Sequence, residues 1–423
     1  MFKEVFVVKK VLLLSIATVL LISIAAMANV VTITLYGAEH LQVAVNLYEE
    51  THPNVKINLV DLPYSDYIQK IGLAMVEGKQ YFPNIFELTT AYMPMVKPYL
   101  INLAPYIQSE LNMTPQQYKD SIYPSMSVFM GEGDQILAVP LAMSSACMWI
   151  NKPMWEKAGI LPPPLNGQTT PWTWDQFIDA VKKVKTANNL SYGMSLQKSA
   201  DRFYQFISEY GVTELNSDGQ FVLDQYPQAP SLIDQFLSLF KDKIIPSGEW
   251  LATENPDQDF LGGVTAAYWA GTWVTYEATS ETNKFVPVYM PAGSQWFGLP
   301  GGDFLAVFNT GNKEKDQTAI DFATWMANKN GEGYQQYVEQ SYTLSAYKGQ
   351  IVDYGIPAVN DWESTVFIPL VSRAPAWAMT DRSSLLYSRI YDPIVKQLQL
   401  GIMGQVNGQQ IVQNLKKDYE SLK

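Results

Sequence analysis

Between residues 31 and 89 the hydrophobic period switches repeatedly between two and about 3.6 residues, and no other feature narrows the possible folds as much. Val31, Ile33 and Leu35 recur at every second position and run into Tyr36-Gly37, as in a half-buried strand that ends in a turn. Leu41, Ala44, Val45 and Tyr48 then follow helical spacing. Val55, Ile57 and Leu59 alternate again. Ser65 can cap a helix that carries Ile68, Ile71 and Met75, and Pro83 opens a third short strand, NIFEL. Strand, helix, strand, helix, strand is the order of a parallel sheet with crossover helices, so an α/β fold is expected. Ligands on such sheets gather beyond the carboxyl ends of the strands. Tyr36, Glu39, Tyr64 and Glu87 stand at or just after those ends. Each alone reads better as a solvated loop residue; their shared placement makes them candidate ligand contacts.

The pattern changes after Val139-Pro140. A mostly uncharged strand runs into a short helix stopped at Gly159, and LPPPLNGQTTP forms a Pro/Gly loop. Thr173-Trp174-Asp175-Gln176 matches a capping box, with Phe177, Ala180, Val181 and Val184 on one helix face. A second, helix-rich lobe is expected from near residue 144. Further on, PGGDFLAVFNTGN reads as a turn and a strand, followed by a helix with Ala319, Phe322, Ala323 and Met326 inward. A chain of 423 residues fits two domains, at roughly 100–200 residues each.

Lys3, Lys9 and Lys10, a long apolar run and Ala26-Met27-Ala28 have the layout of a secretory signal peptide over residues 1–28. Retention as an anchor is the alternative, because the run just reaches spanning length. Cys147 is the only cysteine, so no internal disulfide can form and none stands at the cleavage site to take a lipid. A periplasmic or otherwise extracytoplasmic protein held by its core is expected. The net charge of −12 makes nucleic acid an improbable partner.

Catalytic signatures are largely missing. The only histidines, His40 and His52, lie in no metal-binding spacing and read as structural or surface residues. There is no GxSxG and no GxxxxGK[ST], and neither cofactor nor metal is expected. Acids and aromatics remain, with 11 tryptophans and 25 tyrosines. They suit a partly wet cleft, because indole and phenol combine an apolar face with a polar edge. In AAYWAGTWVTYEA, residues 266–278, Tyr268 and Trp269 precede Gly271 in an apolar strand and read as core, whereas Trp273 follows at the expected strand-to-helix turn. Asp303 follows Gly301-Gly302, read as a turn that lets a carboxylate approach a ligand closely. Such a set fits a secreted glycoside hydrolase using Glu39, Glu87 or Asp303. It fits equally a protein that only binds sugar.

Several blocks, in order, resemble the extracellular solute-binding proteins of ABC importers, in the sugar-binding class that includes maltose-binding protein. They are YFPNIFEL, ILAVPLAMSSACMWINKPMWEKAGI, PWTWDQFIDAVKKVK, GGVTAAYWAGTW, GGDFLAVFNTGNKEKDQTAIDFATWMAN and GIMGQVNGQQIVQNLKKDYES. Asn84 departs from the aspartate usual after the proline, a position that generally supports backbone. The resemblance implies a type II-like fold of two α/β lobes joined by a hinge of crossing strands. The lobes would be 29–143 plus 300–345 and 144–299 plus 346–423. It implies a monomer that binds a sugar or oligosaccharide between the lobes, without catalysis, and delivers it to membrane permease subunits. Trp273 would stack on the sugar and Ser144 would face the cleft. Arg202 and Tyr204 would reach in from the second lobe, and Arg373 and Trp377 from the late segment. A sugar needs ring platforms for its C–H faces and polar groups for its hydroxyls, and this set supplies both.

Overall fold

The computed structural model describes residues 30–62 and 66–422. The expected signal segment, Tyr64, the cap at Ser65 and the side chain of Ile68 lie outside the described residues.

Strands β1 (Val31–Gly37), β2 (Val55–Asp61) and β3 (Ile85–Thr89) form the first part of the sheet, with β1 parallel to both neighbours. The alternation of β1 buries Ile33 and Leu35. The helix Gln42–Thr51 turns Ala44, Val45 and Tyr48 into the same core. The second crossover helix, Tyr67–Glu77, follows Asp66 and buries Ile71. Strand β3 is buried along nearly its whole length, as a strand covered on both faces should be.

Strand β4 (Ala138–Asn151) organises the molecule. Its 14 residues would extend about 45 Å. Ser144 is the only one not fully buried. Strands β5 (Met194–Leu196), β6 (Ala267–Gly271), β7 (Phe285–Val288), β8 (Pro300–Val307) and β9 (Leu344–Ser345) complete a nine-stranded sheet in the order β2-β1-β3-β8-β4-β6-β5, with β7 and β9 also on β4. The first part of β4, through Ser145, pairs antiparallel with β8, and Ser145 lies opposite Pro300. From Ala146, opposite Gly271, the strand pairs with β6. One continuous strand thus belongs to two sets of partners and changes between them at Ser145/Ala146. The β4–β8 register also shifts between Pro140 and Ala142. Proline has no N–H for the ladder, which accounts for a bulge there.

The remaining local expectations have clear counterparts. Thr173 and Gln176 exchange side-chain-to-backbone hydrogen bonds at the start of the helix Trp174–Ala187, which buries Phe177, Ala180, Val181 and Val184. The helix Lys313–Met326 buries Ala319, Phe322, Ala323 and Met326. Tyr268 and Trp269 are fully buried, and Trp269 packs 4.6 Å from Trp174 between ring centroids. One feature differs from the sequence reading. Gly301 and Gly302 lie inside strand β8 rather than in a turn. A Cβ on Gly302 would overlap the Ala142 carbonyl oxygen and the Met126 side chain, so close strand packing explains the glycine. Just after β9 the chain bonds to the helix Pro115–Ser121. The Tyr347 hydroxyl pairs with that of Tyr118 at 2.9 Å, and Lys348 N–H donates to the Ser121 carbonyl.

Candidate functional site

The change of partner along β4 creates a gap. There the ends of β3 and β8 approach the start of the helix Ala200–Ser208 and the turn after β6. A cavity of about 350 Å³ occupies this place. One side is formed by Glu87 and Thr89 of β3, Ala142 to Ser144 of β4, and Asp303 of β8. Ser199, Asp201, Arg202, Thr272, Trp273 and Arg382 form the other. A second compartment of about 760 Å³ shares Ala38, His40, Trp273, Asp303 and Thr343 with the first, and adds Glu39, Tyr276 and Glu277. Through these shared residues, Trp273 among them, the two compartments join into one cleft.

The first wall is acidic and tied to backbone. Glu87 Oε2 accepts the Ala38 N–H at 2.7 Å. Its Oε1 accepts from the Tyr337 hydroxyl at 3.4 Å and faces His40 Nε2 at 3.6 Å. Burial pulls the His40 imidazole down, but the hydrogen bond and charge of Glu87, with Asp303 and Glu39 beyond, leave it above its ordinary value. Asp303 stands opposite Thr89 in the β3–β8 register. Burial, reinforced by the charge of Glu87, pushes its carboxyl well above the usual carboxylate range, with His40 acting in the other direction. Among the described residues, no group of three or more histidine, cysteine or carboxylate side chains is placed to hold a metal ion.

The second wall is basic. Ser199 caps the helix Ala200–Ser208 by accepting the Asp201 N–H at 3.1 Å. Asp201 Oδ1 accepts from Arg382 Nη2 at 2.5 Å and from the Tyr387 hydroxyl at 3.3 Å. Arg382 Nη1 donates to the Pro300 carbonyl, linking this wall to the start of β8. Arg202 is 7% exposed, and its guanidinium carbon lies 4.6 Å from the centroid of the Trp273 ring. Burial lowers its proton affinity, and Asp201 pulls the other way. Trp273 begins where the chain leaves β6 through the short helical turn Thr272–Val274. A Cβ on Gly271 would overlap the six-membered ring of this indole and crowd the Ser145 carbonyl, so Gly271 is what lets the ring lie against the strand end.

Of the residues singled out in the sequence, Glu87, Ser144, Arg202, Trp273 and Asp303 meet around the inner compartment, and Glu39 lies on the outer one. Four do not join them. Tyr36 sets its ring edge-on to Phe86 at 5.5 Å. Tyr204 is fully buried, because its helix is enclosed on every face, and its hydroxyl donates to the Ala378 carbonyl at 3.2 Å. Arg373 is exposed and stacks over Trp296 at 4.4 Å, while the half-buried Trp377 lines neither compartment. Tyr64 lies outside the described residues. His40, read from the sequence as structural or surface, lines both compartments. Its position just beyond β1, beside Glu39, was the available signal. Arg382 had none, since its role depends on a residue 181 positions away. Asn84 holds backbone as its position implied: its side-chain oxygen accepts the Thr34 N–H at 3.0 Å.

The profile of the bacterial extracellular solute-binding protein family matches residues 36–332. The fold is similar to that of an ABC substrate-binding protein from Listeria monocytogenes in complex with cycloalternan, with a TM-score of 0.76 and 19% identity over 92% of this chain and 98% of that one. It is similar to the maltose-bound MalE3 of T. maritima, with a TM-score of 0.75 and 16% identity over 93% and 100% of the respective chains. The GacH receptor of Streptomyces glaucescens, solved unliganded and with acarbose, gives a TM-score of 0.73 and 19% identity over 92% and 98%. These matches are to binding proteins, and the glycoside hydrolase alternative finds no support among them. Among the described residues no helix is long and apolar enough to cross a membrane.

Proposed function

The chain belongs to the bacterial extracellular solute-binding protein family, and on that premise we propose that it captures a sugar or oligosaccharide between two lobes and passes it unaltered to the permease of an ABC importer. The observation that carries this reading is a single cleft walled from both sides of the β4 junction, with an indole that lines both its compartments and carboxylates, hydroxyls and guanidinium groups around it. The structures of similar fold solved with cycloalternan, maltose and acarbose support carbohydrate as the ligand class. Residues 1–28 would direct export. The proposed lobes follow the sequence division, with the inner hinge at Ser145/Ala146 and the later break moved beyond Lys348. A ligand touching both walls stabilises the closed arrangement over the open one, and closure is the signal the permease reads. Arg202 already covers part of the Trp273 ring, so the sugar would use the indole surface that remains open to the cleft.

The test is a carbohydrate screen on protein freed of bound solute by unfolding and refolding, read by thermal midpoint and intrinsic fluorescence. At least one carbohydrate should raise the midpoint. Trp273→Ala should weaken its binding by about 1–2 kcal/mol, roughly 5–30-fold. The absence of any response across the screen refutes the carbohydrate reading. Release of new reducing ends from oligosaccharides on prolonged incubation refutes the reading that the sugar leaves unaltered.

A further inference from the structure

The geometry of the second wall assigns a charge to the ligand: we infer that the cleft takes an acidic carbohydrate, and that Arg202 receives its carboxylate. This rests on the carbohydrate reading above and names the class of sugar within it. Arg202 belongs to the first turn of the helix Ala200–Ser208 and lines the inner compartment. It is 7% exposed, its Nε has no hydrogen-bond partner, and it forms no ion pair among the described residues. The adjacent Asp201 acts on it through its charge but forms no ion pair with it, because its Oδ1 is engaged by Arg382 and Tyr387. A guanidinium withdrawn from water without a directly paired carboxylate is unfavourable. A ligand carboxylate would supply that pair.

The surroundings suit an anion rather than a hydroxyl. A carboxylate can accept two parallel hydrogen bonds from the guanidinium fork and cancel its charge, whereas a neutral hydroxyl cancels nothing. The guanidinium carbon lies over the Trp273 ring, 4.6 Å from its centroid, a cation–π contact that keeps the cation at the cleft. The positive end of the helix Ala200–Ser208 opens on the same compartment, and Lys198 stands exposed on its lining. Across the cleft, Glu87 and Asp303 would repel an anion and accept hydrogen bonds from hydroxyls. The two walls therefore orient the sugar, acid group toward Arg202 and hydroxyls toward Glu87 and Asp303.

The experiment titrates the purified protein with oligogalacturonates and glucuronate-bearing oligosaccharides, each beside its methyl ester and its neutral parent sugar. Binding is read by calorimetry and thermal midpoint. Esterification should weaken binding by ~30-fold or more, the usual consequence of removing one partner of a buried charge pair. Arg202→Gln should lose most of the acid-over-ester preference, and Arg202→Lys should keep part of it. Equal binding of acid and ester, or binding confined to neutral sugars, overturns this inference and leaves the carbohydrate reading standing. No binding of any acidic or neutral carbohydrate overturns both. If Arg202→Gln fails to fold, the acid–ester comparison on the unaltered protein decides.

Discussion

Behind the basic wall, Glu214 is a buried acid whose replacement should change the pH dependence of stability by a calculable amount. Its side chain is fully buried, and neither carboxyl oxygen makes a hydrogen bond of ordinary geometry, leaving only the weak pull of its own backbone amide. Burial, the largest cause, pushes its pKa up to about 8 from an ordinary 4.5; its own backbone amide and Arg382 act in the other direction, while Asp201 and Asp381 add to the rise. The folded protein therefore keeps a proton that the unfolded chain has lost between about pH 4.5 and 8. Its contribution to stability is full below that window and is lost as pH rises through it. Glutamine keeps the shape of the protonated acid and cannot ionise. At pH 5 Glu214→Gln should change stability by about 1 kcal/mol or less. At pH 8 the variant should be the more stable protein. At about 1.4 kcal/mol for each tenfold difference in proton affinity, the full gap is on the order of 4 kcal/mol. Urea denaturation of both proteins at pH 5, 6, 7 and 8 measures the difference. A difference that stays constant within about 0.5 kcal/mol across the series would refute the reasoning, and would mean that water or a cation reaches this carboxyl.

Two further substitutions test the geometry of the site and its support. Gly271→Ala should destabilise by about 1–3 kcal/mol, because its methyl group meets the Trp273 ring and the Ser145 carbonyl; the cost should fall when Trp273→Ala is combined with it, and equal costs in both backgrounds would show that the ring is not the obstacle. Asn84→Ala should cost about 1–3 kcal/mol in urea denaturation by leaving the Thr34 N–H unpaired, whereas Asn84→Asp, which keeps an acceptor, should cost less than half as much.

Much of the fold was legible because its signals are local. A period of two gave β1 and β2, a period near 3.6 gave the helices Gln42–Thr51 and Trp174–Ala187, and Thr173 with Gln176 marked a helix start through bonds only three residues apart. In AAYWAGTW, Tyr268 and Trp269 are core before Gly271 and Trp273 lines the cleft after it, because a strand end changes the surroundings of its neighbours within a few residues.

The sequence by itself determined the α/β pattern, the burial of the strand residues, the helix faces and several side chains at the carboxyl ends of strands. Only the tertiary structure decided that β8 enters between β3 and β4, that β4 changes partners at Ser145/Ala146, and that Gly302 serves strand packing rather than a turn. It also decided that His40 lines the cleft, that Tyr204 does not, and that Arg382 takes Asp201 and leaves Arg202 without an ion pair. The physical reason is range. Periodicity and capping arise within a few residues of chain, whereas the partner of a buried charge or a sheet edge is set by distant segments meeting in space.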